Sequence, residues 1–294
     1  MHETLSNWLA LREPADVAAR SAALTRAVVE KLPRDRSLRA VDLGTGTGSN
    51  VRYLSRDLPA EQEWLLVDRD PVLLAEAAAR LEDEERKGRE ERKDSEDHDD
   101  KNALRSLRPL RSIVVETREM NLGVLEPDIF SGRDLVTASA LLDLVSGTWL
   151  RALADECRAA STTALFALTY NGRSHCSPEE PEDEMIRELM NRHQRQNDKG
   201  FGRAAGPDAV DIAERCFAAA GYHVRREPSD WVLTPDAREL QRQLVEGWAS
   251  AAREIAQDQT SVIDDWLRRR LEHVDANRSS ITVGHEDLAA WLRS

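Results

Sequence analysis

From residue 38 onward, short apolar runs alternate with longer stretches whose apolar residues recur every three or four positions. Runs 40–43, 63–67, 112–116, 134–138 and 163–169 have the length and composition of buried strands. Stretches 50–58, 71–81 and 148–160 lie between them with helical spacing, and Pro71 suits the first turn of its helix. This alternation predicts an α/β fold, a parallel sheet wrapped by helices on both faces. Ahead of the first strand, 5–31 also has helical spacing, with a break expected at Pro14. Beyond the fifth strand, 183–194 and 207–220 read as helices, and 222–225 with 231–233 as a hairpin that closes the sheet. The tail steps by three or four through Leu240, Leu244, Trp248, Ala252 and Ile255, then through Val262, Ile263, Trp266, Leu267 and Leu271. Such stripes predict a helical cap. The expected division is a sheet domain over 1–235 and a helical cap over 236–294.

One segment breaks the pattern. Residues 82–101 are almost entirely charged and cannot bury apolar area. They head an expected mobile, solvated insertion over 82–107, or an extension of the preceding helix. A docking segment for a basic partner is the other reading. His98, within it, reads as solvated.

The net charge of −13 makes the chain poorly suited to follow a nucleic-acid backbone by bulk electrostatics, so a nucleic-acid partner is disfavoured. Cys157, Cys176 and Cys216 lack metal-type spacing, and their odd number is a poor disulfide framework. A reduced, cytoplasmic setting is expected. The N-terminus lacks the basic-then-apolar pattern of a signal peptide, and no apolar stretch reaches membrane-spanning length.

The most specific chemistry lies in Ala40-Val41-Asp42-Leu43-Gly44-Thr45-Gly46-Thr47-Gly48-Ser49-Asn50. Glycine at every second position lets a backbone curl tightly and approach a ligand closely. A dinucleotide turn requires Gly-x-Gly-x-x-Gly. Counting from Gly44 reaches Ser49, and counting from Gly46 reaches Val51, so both registers fail. No Gly-Lys-Ser or Gly-Lys-Thr follows, which excludes a phosphate loop. Asp42, at the strand's end, would repel a phosphate. It suits a nucleoside ligand that brings positive charge or hydroxyl and amino donors.

Asp42-Leu43-Gly44-Thr45-Gly46-Thr47-Gly48 resembles the first motif of class I S-adenosylmethionine-dependent methyltransferases. Trp64-Leu65-Leu66-Val67-Asp68-Arg69-Asp70 resembles the second. Glu119-Met120-Asn121-Leu122 and Asp134-Leu135-Val136-Thr137-Ala138-Ser139 are similar to the third and fourth. The likeness spans about 38–235, less the insertion. It implies a Rossmann-like doubly wound sheet of seven strands with the last antiparallel, and S-adenosylmethionine as cofactor. Asp42, Gly44, Thr45, Gly46 and Gly48 would form the turn beneath it. Asp68 would meet the ribose hydroxyls, with Arg69 near the adenine. Glu119 would accept from the adenine amino group and Met120 would cover the ring. Ala138 and Ser139 would lie under the methionine moiety. In this fold a helix before the first strand often crosses the cofactor, which makes Arg20 and Arg12 candidates to pair with its carboxylate.

The implied reaction moves the sulfonium methyl in line to an oxygen or nitrogen of a small-molecule acceptor. The protein's part is positioning and a dry site, with no metal or nucleophile required. Asp143, an acid among leucines, is the catalytic candidate: a partly desolvated carboxylate that serves as a base or orients an amine. The competing reading is an acid at a helix N-terminus. Tyr170, His193, Arg195 and Lys199 are candidates to bind the acceptor, against a reading as a solvated loop. The fourth motif lacks Asn-Pro-Pro-Tyr, Asp-Pro-Pro-Tyr and Pro-Cys, which disfavours methylation of base amines and cytosine rings. Two alternatives stand. One is a protein or RNA methyltransferase recruited through the charged insertion and the tail. The other is a non-catalytic relic that binds the cofactor. A homodimer is left open.

Overall fold

Every residue but Arg39 is buried in strand β1 (Leu38–Leu43), because it lies mid-sheet with helices on both faces. The structure, a computed structural model, describes residues 2–97, 112–196 and 198–293. Helices α1 (His2–Ala19) and α2 (Ala22–Val29) precede β1. β1 pairs in parallel with β2 (Glu61–Asp68) on one side and β4 (Leu135–Ser139) on the other. β3 (Ser112–Glu119) lies outside β2, and β5 (Thr163–Ser177) outside β4, both parallel. β8 (Ser280–Leu292) inserts between β5 and β6 (Tyr222–Pro228), antiparallel to both. β7 (Trp231–Leu233) pairs with its first half. The order β3-β2-β1-β4-β5-β8-β6 reverses direction between β1 and β4. Ligand crevices form at such a point, beyond the carboxyl ends of the strands.

Alternate strand residues face opposite sides of a sheet, and here each side has its own core. Ala40, Trp64 and Leu66 pack against α2, α3 (Ser49–Leu54) and α4 (Pro71–Asp97). Val41, Val67 and Phe166 pack against α5 (Gly147–Ala160) and α7 (Ala209–Ala219). A third core joins α6 (Asp183–Gln196), α8 (Arg238–Ile255) and α9 (Thr260–Asp275) to β7 and the start of β8, around Trp231, Trp248 and Trp266. No helix among the described residues is long and apolar enough to cross a membrane.

The doubly wound sheet expected from the sequence is present, but its antiparallel side is built differently. Segments 222–228 and 231–233 do not form a hairpin with each other; each pairs with β8, so the sheet has eight strands among the described residues. The chain's last stretch is therefore strand, where a helical tail was expected. The reason is visible at Asp287, 1% exposed in the polar middle of the strand. It accepts from the Leu168 amide at 2.8 Å and the Ser21 amide at 2.9 Å, so backbone donors satisfy a polar residue inside the sheet. The expected boundary at 235 thus cuts a sheet that residues 280–292 complete.

Helix α1 runs through Pro14, and the break falls instead at Ser21, whose hydroxyl accepts from the Leu24 amide and caps α2. The charged segment begins as the continuation of α4 to Asp97. The rest of the expected insertion, His98 included, lies outside the described residues.

Candidate functional site

A cavity of about 620 Å³ opens beyond the carboxyl ends of β1, β2 and β4. Asp42, Asp68 and Ser139 lie at or next to the ends of β1, β2 and β4, Tyr170 lies midway along β5 beside its register shifts, and α1 crosses above with Trp8, Leu9, Arg12 and Asp16. At its floor is the glycine turn. Gly44 and Gly46 take φ of +64° and +54°, the left-handed region that favours glycine. A Cβ on Gly46 would come within 3.1 Å of Leu9 Cδ1. The end of β2 braces this turn: Asp68 Oδ2 accepts from the Gly46 amide at 2.8 Å, and the Val67 carbonyl accepts from Gly44 and Thr45. Gly48 stands behind it. Its Cβ would meet Ala77 Cβ at 3.1 Å, so it sets how closely α3 packs on α4 and does not line the cavity.

Asp42 lies beneath the turn, 1% exposed. Its Oδ1 accepts from Asn50 Nδ2 at 2.6 Å and Thr137 Oγ1 at 2.7 Å. Its buried Oδ2 has no hydrogen-bond partner among the described residues. Burial pushes its carboxyl above the usual carboxylate range, against the hydrogen bonds that hold it down. Asn50 Oδ1 in turn accepts from Arg20 Nη1 at 2.7 Å. Arg20 is itself buried, stacked 4.5 Å over the Tyr53 ring, and lines the cavity. One chain of contacts therefore runs from β1 through α3 to the junction of α1 and α2.

Thr45, Arg69, Met120 and Ser139 also line the cavity. The Met120 amide donates to the Asp68 carbonyl at 2.8 Å, which sets Met120 beside the end of β2. Glu119 does not join them. It is exposed, since neighbouring strand residues point to opposite faces and Met120 takes the inner one. Ala138 is packed in the core beneath, 1% exposed, and does not reach the cavity. Ala140 and Leu168, both cavity-lining, take φ of +51° and +55° without being glycine. Strain of this kind gathers at functional sites.

The far half of the cavity is a chamber walled by Tyr170, Trp231, Trp248 and Met190. Asp143 faces it from the short 3-10 turn Leu142–Leu144. Burial pushes its carboxyl up to about 6. Because that lies above its ordinary 3.8, the folded state holds the proton more tightly, and stability falls as pH rises from about 4 to about 6. The full penalty, about 3 kcal/mol at ~1.4 kcal/mol per unit, applies above that window. Asp143→Asn should therefore raise the unfolding free energy by up to about 3 kcal/mol at pH 7 and by nothing at pH 4, as read by urea unfolding at both values.

His285, from β8, also lines this chamber. Burial pushes its imidazole down to about 3, with help from the Arg12 cation. A neutral ring at 3.0 Å from the Val283 carbonyl through Nδ1 carries its proton there, which leaves Nε2 as an acceptor. Tyr170 Oη donates to Asn191 Oδ1 at 2.9 Å. His193 and Arg195 lie outside the cavity. His193 Nε2 pairs with Glu254 at 3.0 Å and Arg195 with Asp208 at 3.0 Å. On α6 the inner face belongs to Met190 and Gln194, four apart, so 193 and 195 fall to its sides. Lys199 is exposed but borders the cavity. Sequence reasoning missed His285, Trp231 and Trp248 as wall residues. Helical spacing signalled Met190 and Gln194, whereas no signal pointed to His285, whose strand was unassigned.

No protein-family profile matches the chain, and no curated protein matches it in sequence. Solved structures do match. The cyclopropane synthase MmaA2 from Mycobacterium tuberculosis is 11% identical over 91% of this chain and 83% of its own, with TM-score 0.41. The YcgJ protein from Bacillus subtilis is 12% identical over 93% of this chain and 100% of its own, with TM-score 0.46. Phosphoethanolamine N-methyltransferase 2 from Haemonchus contortus, solved with S-adenosyl-L-methionine, is 15% identical over 93% of this chain and 53% of its own, with TM-score 0.42. Similarity at this level concerns the course of the chain, and the chemistry of the cavity rests on its own residues. By its strand order and the helices on both faces, the chain has a Rossmann-like doubly wound fold.

Proposed function

We propose that the chain is an S-adenosylmethionine-dependent methyltransferase acting on a small molecule. The observation that carries this reading is a buried carboxylate with an unpartnered oxygen, Asp42, beneath a glycine turn and joined through Asn50 to Arg20. An amino-acid end carries one ammonium and one carboxylate, the counterparts of Asp42 and Arg20. The nucleoside end would fall to Asp68, which keeps lone pairs beyond the two amides it accepts from, with Met120 as an apolar cover. Bound there, the cofactor supplies a methyl group on a sulfonium that is its own leaving group.

The chain's own residues do the rest. Helix α1 screens the cavity from water. Asp143 and the Nε2 of His285 can hold the acceptor's hydroxyl or amine and receive its proton. Tyr170, Trp231 and Trp248 supply apolar walls. The volume falls within the ~300–1,000 Å³ range of small-molecule pockets, which supports a small acceptor over a protein or RNA. A reduced, cytoplasmic setting accords with three unpaired cysteines.

Thermal unfolding with S-adenosylhomocysteine, NAD⁺ or ATP tests the assignment. At a hundredfold excess over its Kd, S-adenosylhomocysteine alone should stabilise the protein by about 2.7 kcal/mol. Stabilisation by NAD⁺ or ATP without any by S-adenosylhomocysteine would overturn it.

A further inference from the structure

The chamber beyond the proposed cofactor site contains one charge that no side chain among the described residues pairs with directly. Five titratable side chains besides Tyr170 border it. Arg12 and Asp16 neutralise each other at 2.9 Å, with Arg12 lying 5.1 Å over the Trp231 ring and Trp231 Nε1 donating to Asp16 at 3.0 Å. Lys199 is exposed at the cavity's edge. His285 is held neutral by burial and bound to its own strand. Asp143 is left, 8% exposed and without a side-chain partner among the described residues. Its own backbone amide, the more distant Lys199 and Arg12 cations and the Tyr170 amide oppose the cost of burial only in part. A carboxylate buried in this way is costly unless a ligand completes it.

We propose that the acceptor carries a basic nitrogen on an aromatic or apolar body, with the nitrogen bound as its cation at Asp143, the body held between Trp231, Trp248 and Tyr170, and the proton passed to Asp143 or His285 Nε2 before that nitrogen can take a methyl group. The proposal rests on the methyltransferase reading and names the substrate class of that site. An anionic acceptor would meet an unpaired carboxylate and be repelled. A neutral hydroxyl would gain one hydrogen bond and leave the charge unanswered. A cation answers the charge and also gains from aromatic faces, which attract cations most where water is excluded. The remaining possibility is that the cofactor's sulfonium is the cation Asp143 meets. Comparing S-adenosylmethionine with S-adenosylhomocysteine, whose sulfur is neutral, separates the two: a preference for the sulfonium that Asp143→Asn removes would assign Asp143 to the cofactor and overturn the proposal.

The experiment is calorimetry on the full-length protein saturated with S-adenosylhomocysteine at pH 7.5, with 2-phenylethylamine and its isostere 2-phenylethanol as probes. The wild type should bind the amine at least tenfold tighter than the alcohol, and Asp143→Asn should bring the two within threefold. Equal binding of amine and alcohol by the wild type, no binding of the amine at 10 mM, or a preference that survives in Asp143→Asn would each overturn the proposal. The wild-type comparison decides even if the variant does not fold. Saturation by S-adenosylhomocysteine is read first. Its failure counts against the methyltransferase reading, whereas saturation without amine preference counts against the substrate class alone.

Discussion

Arg20→Ala should weaken binding of S-adenosylmethionine about a hundredfold, while 5′-methylthioadenosine, which lacks the amino-acid end, binds within threefold of wild type. Arg20 is buried, held by the 2.7 Å bond to Asn50, by the Tyr53 ring and by Asp287 4.0 Å from its Nε, and it lines the cavity. Truncating one partner of a buried, hydrogen-bonded charge pair costs roughly 2–5 kcal/mol. A hundredfold loss corresponds to about 2.7 kcal/mol, within that range. Calorimetry with both ligands checks it. An equal loss for the two would show that Arg20 supports the turn as a whole and does not recognise a carboxylate.

Gly46→Val should abolish binding of both ligands, a loss of more than a hundredfold, with the fold retained. Valine is branched at Cβ, and a φ of +54° forces that branch against the preceding backbone. The strain costs roughly 1–3 kcal/mol, and any relaxation of the turn breaks the 2.8 Å bond from the Gly46 amide to Asp68. The new side chain also projects toward Leu9, into the space between the turn and α1. Gly48→Ala is the contrast. Its added carbon meets Ala77 of α4, so it should lower the melting temperature while a folded fraction still binds. Circular dichroism alongside calorimetry separates the two outcomes.

The parts of the fold that were legible are those where one physical demand governed a run of sequence. Strands β1, β2, β4 and the first half of β5 are largely buried on both faces, so they read as short, mostly apolar runs. The turn was legible because three glycines and an acid in one short stretch exclude most other nucleotide sites. Strand β8 was illegible because its middle, Gly284-His285-Glu286-Asp287, serves other ends. His285 faces the chamber, and Asp287 binds two backbone amides from distant segments. Polar residues placed for those contacts erase the alternation by which a strand is recognised. Glu119, His193 and Arg195 show a different limit. Position along the chain brought them near the cavity, but strand alternation gave the inner place to Met120 and helical spacing gave it to Met190 and Gln194. Both periods are in the sequence. Choosing the face required knowing where the cavity lies.

The most direct test of the central claim is a crystal structure of the protein with S-adenosylhomocysteine bound. The nucleoside should lie between Asp68 and Met120, the amino-acid end over Gly44 and Gly46 beside Arg20, and the sulfur should turn toward the chamber that holds Asp143. A ligand seated elsewhere, or one that reaches the turn with its adenine at Arg20, would contradict it.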